Sequence, residues 1–404
     1  GDVYKRQIYI KQNHNAMINK YLLSSLACIS FYTIQAQPSS KLPNIIFILA
    51  DDIGYADFSC YGAKTIATPH IDELAANGIR FTNAYAPAST SSPSRYALLT
   101  GEYAFRKRVG ILPADAPLTI DPQSNNLPLQ LKSSGYTTGI VGKWHLGLGN
   151  RNETVDFNKK ITAGMRSVGF DYSYIFPATN DRVPTIFLEN DQVVNGDPND
   201  PIKVSYRKKI GNEPTGKENP DLLTLKYYQG HDGTIINGIS RIGWMSGGYK
   251  ARWNDQEMGE VLSNQAVSFI RENKQKPFFL YYATHNAHEP RVPNPKFAGQ
   301  SKAGIYGDMI EEFDEYVGRI IETLKKEGIF ENTLLIISSD NAPMIKEGYH
   351  DGAEENIGSH RPCADLRGAK YSLYEGGTKV PFIVSYPSSV SYTHLRAHET
   401  RHDL

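Results

Sequence analysis

A chain of 404 residues with 40% apolar content is long enough to bury a full core, so one large domain, with or without a small appendage, is expected. Its 43 basic and 43 acidic residues cancel. That balance gives no support for nucleic-acid binding or membrane-surface attachment as the main business of the chain, and any cations that matter must be local.

The two ends read differently from the middle. Residues 1–16 fit nothing that follows and are taken as a non-native upstream leader. Met17-Ile18-Asn19-Lys20, the apolar, carboxylate-free run over 21–34 and then Gln35-Ala36-Gln37 read as a secretory signal peptide over 17–36, cleaved after Ala36. The run is too short for a convincing membrane span. The product is therefore expected to be exported, periplasmic or extracellular, without stable membrane insertion. Of the three cysteines, Cys28 leaves with the signal peptide, and Cys60 and Cys363 can make at most one disulfide. Residues 391–404, rich in His and Arg without an apolar period, read as a non-native tail.

Between these ends, short apolar runs alternate with amphipathic stretches. Asn44-Ile45-Ile46-Phe47-Ile48-Leu49 predicts a buried strand that ends at Asp51-Asp52. The helix after it starts with Thr68 as cap and Pro69 in its first position, and Gly78 stops it. Ser91-Ser92-Pro93-Ser94 reads as a Ser/Pro turn with Pro93 in the first turn of a helix. A helix over 127–134, closed by Gly135, leads into a strand over 137–141, and 277–282 is another buried strand. Met309, Phe313, Val317 and Ile321 predict a helix over 308–326, followed by Gly328 and a strand over 333–337. This alternation predicts an α/β fold, a three-layer α/β/α sandwich around a largely parallel sheet. Residues 177–254, full of Asn, Asp, Gly and Lys, lack it. They predict loops and short elements walling a pocket, where substrate choice resides.

Open parallel sheets bind ligands beyond the carboxyl ends of their strands, and the polar clusters fall there. Asp51 and Asp52 repel each other at a buried strand end, and a hard divalent cation is the natural compensation; capping a turn is the commoner fate of an isolated Asp-Asp. Ser339-Asp340-Asn341 ends another strand, and a carboxylate beside an amide oxygen suits calcium or magnesium better than zinc, with an Asx-turn as the plainer alternative. Gly142-Lys143-Trp144-His145-Leu146-Gly147 follows a third strand, and His285-Asn286-Ala287-His288-Glu289-Pro290 a fourth. Leu366-Arg367-Gly368-Ala369-Lys370, then Tyr374-Glu375-Gly376-Gly377, closes the series, its glycines suited to tight backbone geometry.

In this chain order the segments resemble type I sulfatases of the alkaline phosphatase-like superfamily. Ser91-Ser92-Pro93-Ser94-Arg95, followed by Leu99-Thr100-Gly101, is similar to the family's (Cys or Ser)-x-Pro-x-Arg signature. Its first residue is oxidised to formylglycine (3-oxoalanine), here in the bacterial Ser-type form that requires a sulfatase-maturating enzyme acting on Ser91. The resemblance implies a calcium site of Asp51, Asp52, Asp340 and Asn341 completed by residue 91; Ala342 stands where the family usually has Gly. The 142–147 block matches the family without a change, His288 matches its His-x-Pro histidine with His285 ranked lower, and Lys370 matches its sulfate-binding lysine. Catalytic roles follow for Ser91, Arg95, Lys143, His145, His288 and Lys370, with Lys143, His288 and Lys370 binding substrate. By the same resemblance one hydroxyl of the aldehyde hydrate attacks sulfur, and His288 or Lys370 protonates the departing oxygen. His145 deprotonates the second hydroxyl to expel sulfate, and Arg95 holds the hydrate.

The matching domain covers 41–387 and stops where the family's small C-terminal subdomain begins, so that subdomain is expected to be truncated. Export, together with Tyr227, Tyr228, Trp244, Tyr249 and Trp253 as faces for sugar rings, predicts a sulfated carbohydrate of glycosaminoglycan or mucin type. Two other readings stand beside this one. A phosphatase or phosphodiesterase of the same superfamily would use unmodified Ser91 with zinc, drawing on His350 and His360. A non-catalytic sulfated-glycan binder would retain sulfate without releasing it.

Overall fold

The computed structural model describes residues 42–228 and 230–388. The readings of 1–16, 17–36 and 391–404, Cys28 included, lie outside these residues. The strands are β1 Asn44–Ala50, β2 Ile79–Phe81, β3 Thr137–Lys143, β4 Tyr172–Phe176, β5 Leu188–Glu189, β6 Gln192–Val193, β7 Lys203–Ser205, β8 Ile235–Ile236, β9 Ile239–Ser240, β10 Trp244–Ser246, β11 Phe278–Ala283, β12 Thr333–Ser339 and β13 Phe382–Ser385. Nine of them form one sheet in the order β2-β13-β12-β1-β11-β3-β4-β5-β6. The five central strands, β12 to β4 in that order, run parallel. Both margins are antiparallel, which makes the sheet mixed.

Alternation along the strands accounts for the three layers. Ile46 and Ile48 of β1, with Phe278, Leu280 and Tyr282 of β11, enter one core. Phe47 and Leu49, with Phe279, Tyr281 and Ala283, enter the other. Successive side chains of a strand point to opposite faces, so strands apolar at every position need cover on both sides. Helices α1 (Pro69–Ala76), α4 (Met258–Asn273) and α5 (Gly304–Lys326) cover the first face through residues such as Ile71, Leu262 and Phe313. Helices α2 (Ser91–Thr100) and α3 (Leu127–Ser133) cover the second.

Three expectations change in detail. Thr68 precedes α1 but makes no side-chain cap; the free N–H groups of His70 and Ile71 are taken by the Asp314 carboxylate of α5, at 3.2 and 2.9 Å. Asp314 therefore does for α1 what a cap residue would do from within the chain. Helix α1 ends at Asn77, and Gly78 is small because a Cβ there would lie 2.4 Å from the Val384 carbonyl oxygen of β13. Helix α5 begins four residues before Asp308, whose carboxylate instead accepts the N–H groups of Gly299 and Ser301 at 2.8 Å each. The remaining cysteines, Cys60 and Cys363, are free thiols.

Register brings the strand ends together. Leu49 pairs with Ala283 and with Ser338, Ala50 with Ser339, and Ala283 with Gly142. Asp51, Lys143, Thr284 and Asp340 therefore leave the sheet at the same end. Gly142 permits this: its φ is +111°, and a Cβ would fall 1.8 Å from the Ala283 carbonyl oxygen. Gly142→Ala is expected to lower stability by more than about 2 kcal/mol, read as a fall in the urea midpoint.

Candidate active site

At the carboxyl end of the sheet three carboxylates are buried side by side. Oxygens of Asp51, Asp52 and Asp340 lie within 4.8 Å of one another. Asn341 follows Asp340 and donates its amide to Asp52 Oδ1 at 2.7 Å, which turns its own Oδ1 toward Ser91 Oγ, 3.3 Å away. Ser91 is the first residue of α2, and its hydroxyl also lies 3.3 Å from Asp51 Oδ1. Ala342 has no left-handed backbone, so the family's usual glycine is not required for this loop. Asp52 and His145 do sit in the left-handed region, at φ +60° and +52°, a conformation that costs non-glycine residues energy and clusters at functional sites.

Three cations answer the carboxylates. Lys143 Nζ donates to both oxygens of Asp51 at 2.6 and 2.8 Å and to Ser91 Oγ at 3.1 Å. Arg95, one turn along α2 from Ser91, places Nε 2.9 Å and Nη2 2.7 Å from Asp340 Oδ2, with Asp51 at 3.6 Å. Lys370 Nζ reaches Asp52 Oδ2 at 2.9 Å. Burial raises the carboxyl pKa values, but Lys370 and His288 carry Asp52 below the ordinary range, and Arg95 does the same for Asp340. At Asp51 burial wins over Lys143, and the group stays raised. An added cation coordinated by Asp51, Asp52, Asp340, Asn341 and residue 91 fits this all-oxygen donor set, which suits calcium or magnesium.

The two histidines close over this floor. His288 sets Nδ1 2.6 Å from the Glu289 carbonyl oxygen, leaving Nε2 4.0 Å from Asp52 Oδ2. His145 Nε2 lies between the Leu112 carbonyl oxygen at 3.1 Å and Arg182 Nη1 at 3.2 Å, while Nδ1 has no hydrogen-bond partner among the described residues. Burial first, then the charges of Arg182 and Lys143, hold its pKa well below the ordinary value, so the ring is neutral. Ser91, His145, His288 and Lys370 line one small cavity with Thr179, Asp181, Arg182, Glu347 and Tyr371.

Residues 43–402 match the family model described as Sulfatase. The chain belongs to the sulfatase family. It is 52% identical over 353 residues to an N-acetylgalactosamine-6-O-sulfatase of Bacteroides thetaiotaomicron, covering 87% of this chain and 69% of that one. To the steryl-sulfatase of Rattus norvegicus it is 32% identical over 381 residues, 86% of this chain, and it spans 63% of that protein's length. A solved 6S-sulfatase structure from work on glycosaminoglycan metabolism by Bacteroides thetaiotaomicron superimposes with a TM-score of 0.85 at 52% identity, over 87% of this chain and 73% of the other.

Within this sulfatase framework some placements differ from the sequence expectation. Arg95 contacts Asp340 and Asp51 beside unmodified Ser91, so in this structure it positions the carboxylates of the cluster. His285 is buried with its pKa pushed down to about 4, outside the residues lining the cavity. Trp253 is core, packed between Phe176 and Phe187 with ring centroids 6.1 and 5.6 Å away, and Tyr228 packs against His350 with ring centroids 3.6 Å apart and planes tilted by 40°. None of the five aromatics proposed for sugar stacking lines the cavity. His360 is bonded to buried Asp57 at 2.7 Å, so neither spare histidine lies in position for a second metal.

Sequence reasoning placed pocket walls in the stretch from 177 but singled out none of Asp181, Arg182 or Glu347. Asp181 is bonded to His231 at 3.1 Å, and Arg182 donates to the Leu112 carbonyl at 2.8 Å. Their partners are 50 and 70 residues away, and no local spacing marks them. Asp340→Ala would leave the Arg95 guanidinium buried without its main partner. A cost of about 3–5 kcal/mol is expected, measured by denaturant unfolding.

Proposed function

We propose that this chain hydrolyses a sulfate ester on a carbohydrate, with residue 91 matured to formylglycine and a calcium ion held by Asp51, Asp52, Asp340 and Asn341. The observation that carries the reading is the convergence on Ser91 Oγ of Lys143, Asp51 and Asn341 at 3.1–3.3 Å, at the start of a helix. A 52% identical relative named for N-acetylgalactosamine 6-sulfate makes that sugar the first substrate to try. Formylglycine supplies a hydrated aldehyde with two hydroxyls, one for attack and one for release, and calcium supplies a Lewis acid for the sulfate oxygens.

The chain's own residues then divide the work. Lys143 and the N-terminus of α2 place positive charge beside the anionic ester. His288 has its Nδ1 engaged by a carbonyl, so Nε2 is the nitrogen able to hand a proton to the leaving sugar oxygen, with Lys370 beside it. Burial keeps Lys370's pKa from rising freely, yet Asp52 and Glu347 outweigh it and hold the amine protonated. His145, neutral and with Nδ1 open, suits a base. Lys370 already bridges Asp52 and Glu347 at 2.9 Å each, filling with a protein cation the second group of ligands that a two-metal phosphatase would need. The leader over 17–36 places the reaction outside the cytoplasm in this reading. No helix among the described residues is long and apolar enough to cross a membrane.

Co-expression with a Ser-type maturase is expected to remove two hydrogens from residue 91, read by peptide mass spectrometry, and to give sulfate release from N-acetylgalactosamine 6-sulfate. Ser91→Ala should retain the circular dichroism spectrum and lose turnover; an active Ser91→Ala protein overturns the mechanism, and sulfated-sugar binding without release by the matured wild type favours the glycan-binder reading. Elemental analysis is expected to find calcium. Restoring it at 100 times its Kd after chelation should add about 2.7 kcal/mol to the unfolding free energy.

A further inference from the structure

Two carboxylates in the cavity, Asp181 and Glu347, belong to neither the metal cluster nor the proton donors; Asp181 is paired with His231 at 3.1 Å and lies 3.9 Å from Arg182, whereas Glu347 is joined to the cluster through Lys370. Glu347 Oε2 accepts from Lys370 Nζ at 2.9 Å, and Oε1 accepts from the Tyr371 hydroxyl. Lys370 stands between it and Asp52, so Glu347 lies one ammonium group outward from the cluster. Its carboxylate, His288 and Asp52 have ligand atoms within 4.8 Å of one another. Glu347 therefore stands beside His288 and Lys370, the two groups that face the leaving oxygen in the proposed reaction.

The loop bearing Glu347 is fastened to the turn that carries His288. The Glu289 carboxylate accepts the backbone N–H groups of Glu347, Gly348 and Tyr349 at 3.1, 2.6 and 3.0 Å. Arg291, with its side chain wholly buried, donates to Glu289 at 3.2 Å, Asp351 at 2.7 Å and the carbonyls of Ala287, Ile345 and Met344. With its backbone so fixed and its two oxygens bonded to Lys370 and Tyr371, the Glu347 carboxylate is anchored at the cavity.

We infer that Glu347 is a specificity-determining residue: it accepts a hydroxyl beside the reacting sulfate and repels a second sulfate or carboxylate at that position. The substrate class is then a sugar carrying one sulfate with neutral neighbours. The inference rests on the sulfatase reading and refines it.

The test compares kcat/KM for N-acetylgalactosamine 6-sulfate and the 4,6-disulfate. Wild type is expected to prefer the monosulfate at least tenfold. Glu347→Gln should bring the ratio to threefold or less, whereas Tyr371→Phe, which leaves the charge, should keep it. Equal rates in wild type, or an unchanged ratio in Glu347→Gln, overturn the assignment. Calorimetry of both sugars on Ser91→Ala poses the question without turnover or a change at 347; equal affinities overturn it there too. Absence of sulfate release from either sugar by matured wild type counts against the sulfatase reading, and a tenfold affinity difference in Ser91→Ala would still support the charge rule.

Discussion

Burying three carboxylates at one sheet end is the constraint on which the rest of the molecule depends. An unpaired buried charge costs several kcal/mol, so each of Asp51, Asp52 and Asp340 has to meet a cation brought from elsewhere in the chain. Lys143 comes from the end of β3, Arg95 from the first turns of α2, and Lys370 from a loop more than 300 residues beyond Asp52. The pairs therefore lock β1, β3, β12, α2 and the 370 loop into one arrangement. The same pairs leave residue 91 facing a mixed field of positive nitrogen and carboxylate oxygen, which suits an anion only if a further cation joins it. Structure and chemistry meet in that electrostatic arrangement.

Much of the fold is legible locally. The strand residues 45–49 are apolar at every position, and that continuity announces cover on both faces. The helix 127–134, Gly135 and the strand after it are where expected, because Asn126 caps the helix with a side-chain bond to Leu129 N and the chain turns at a glycine with φ +90°. Helix α4 carries Met258, Leu262, Ala266, Phe269 and Ile270 at helical spacing yet was absent from the expectation, since the polar stretch before it blurs its start. Strands β2 and β13 could not be read. They are three and four residues long, and they pair with each other across some 300 residues.

For the site, the legible part consists of residues inside short contiguous motifs: Asp51-Asp52, Ser91 to Arg95, the 142–147 block, His288, Asp340-Asn341 and Lys370. The structure brings all of these to one place. What no motif discloses is the sugar side of the cavity. Asp181 and Arg182 sit in a stretch of Asn, Asp and Gly with no period, and their partners lie on other loops. Aromatic count misleads in the same stretch, because Trp253 has Phe176 and Phe187 as neighbours rather than solvent. Composition can say that a segment walls a pocket, but only the folded contacts say which of its side chains face inward.

The left-handed backbone at His145 carries a wider consequence. Holding an L-residue there costs about 1–2 kcal/mol, which glycine would largely relieve. Selection for thermal robustness alone would thus favour replacing a histidine that faces the cavity. A histidine lining the cavity in such a backbone makes position 145 a poor choice for any stabilising design that is meant to leave the cavity as it is.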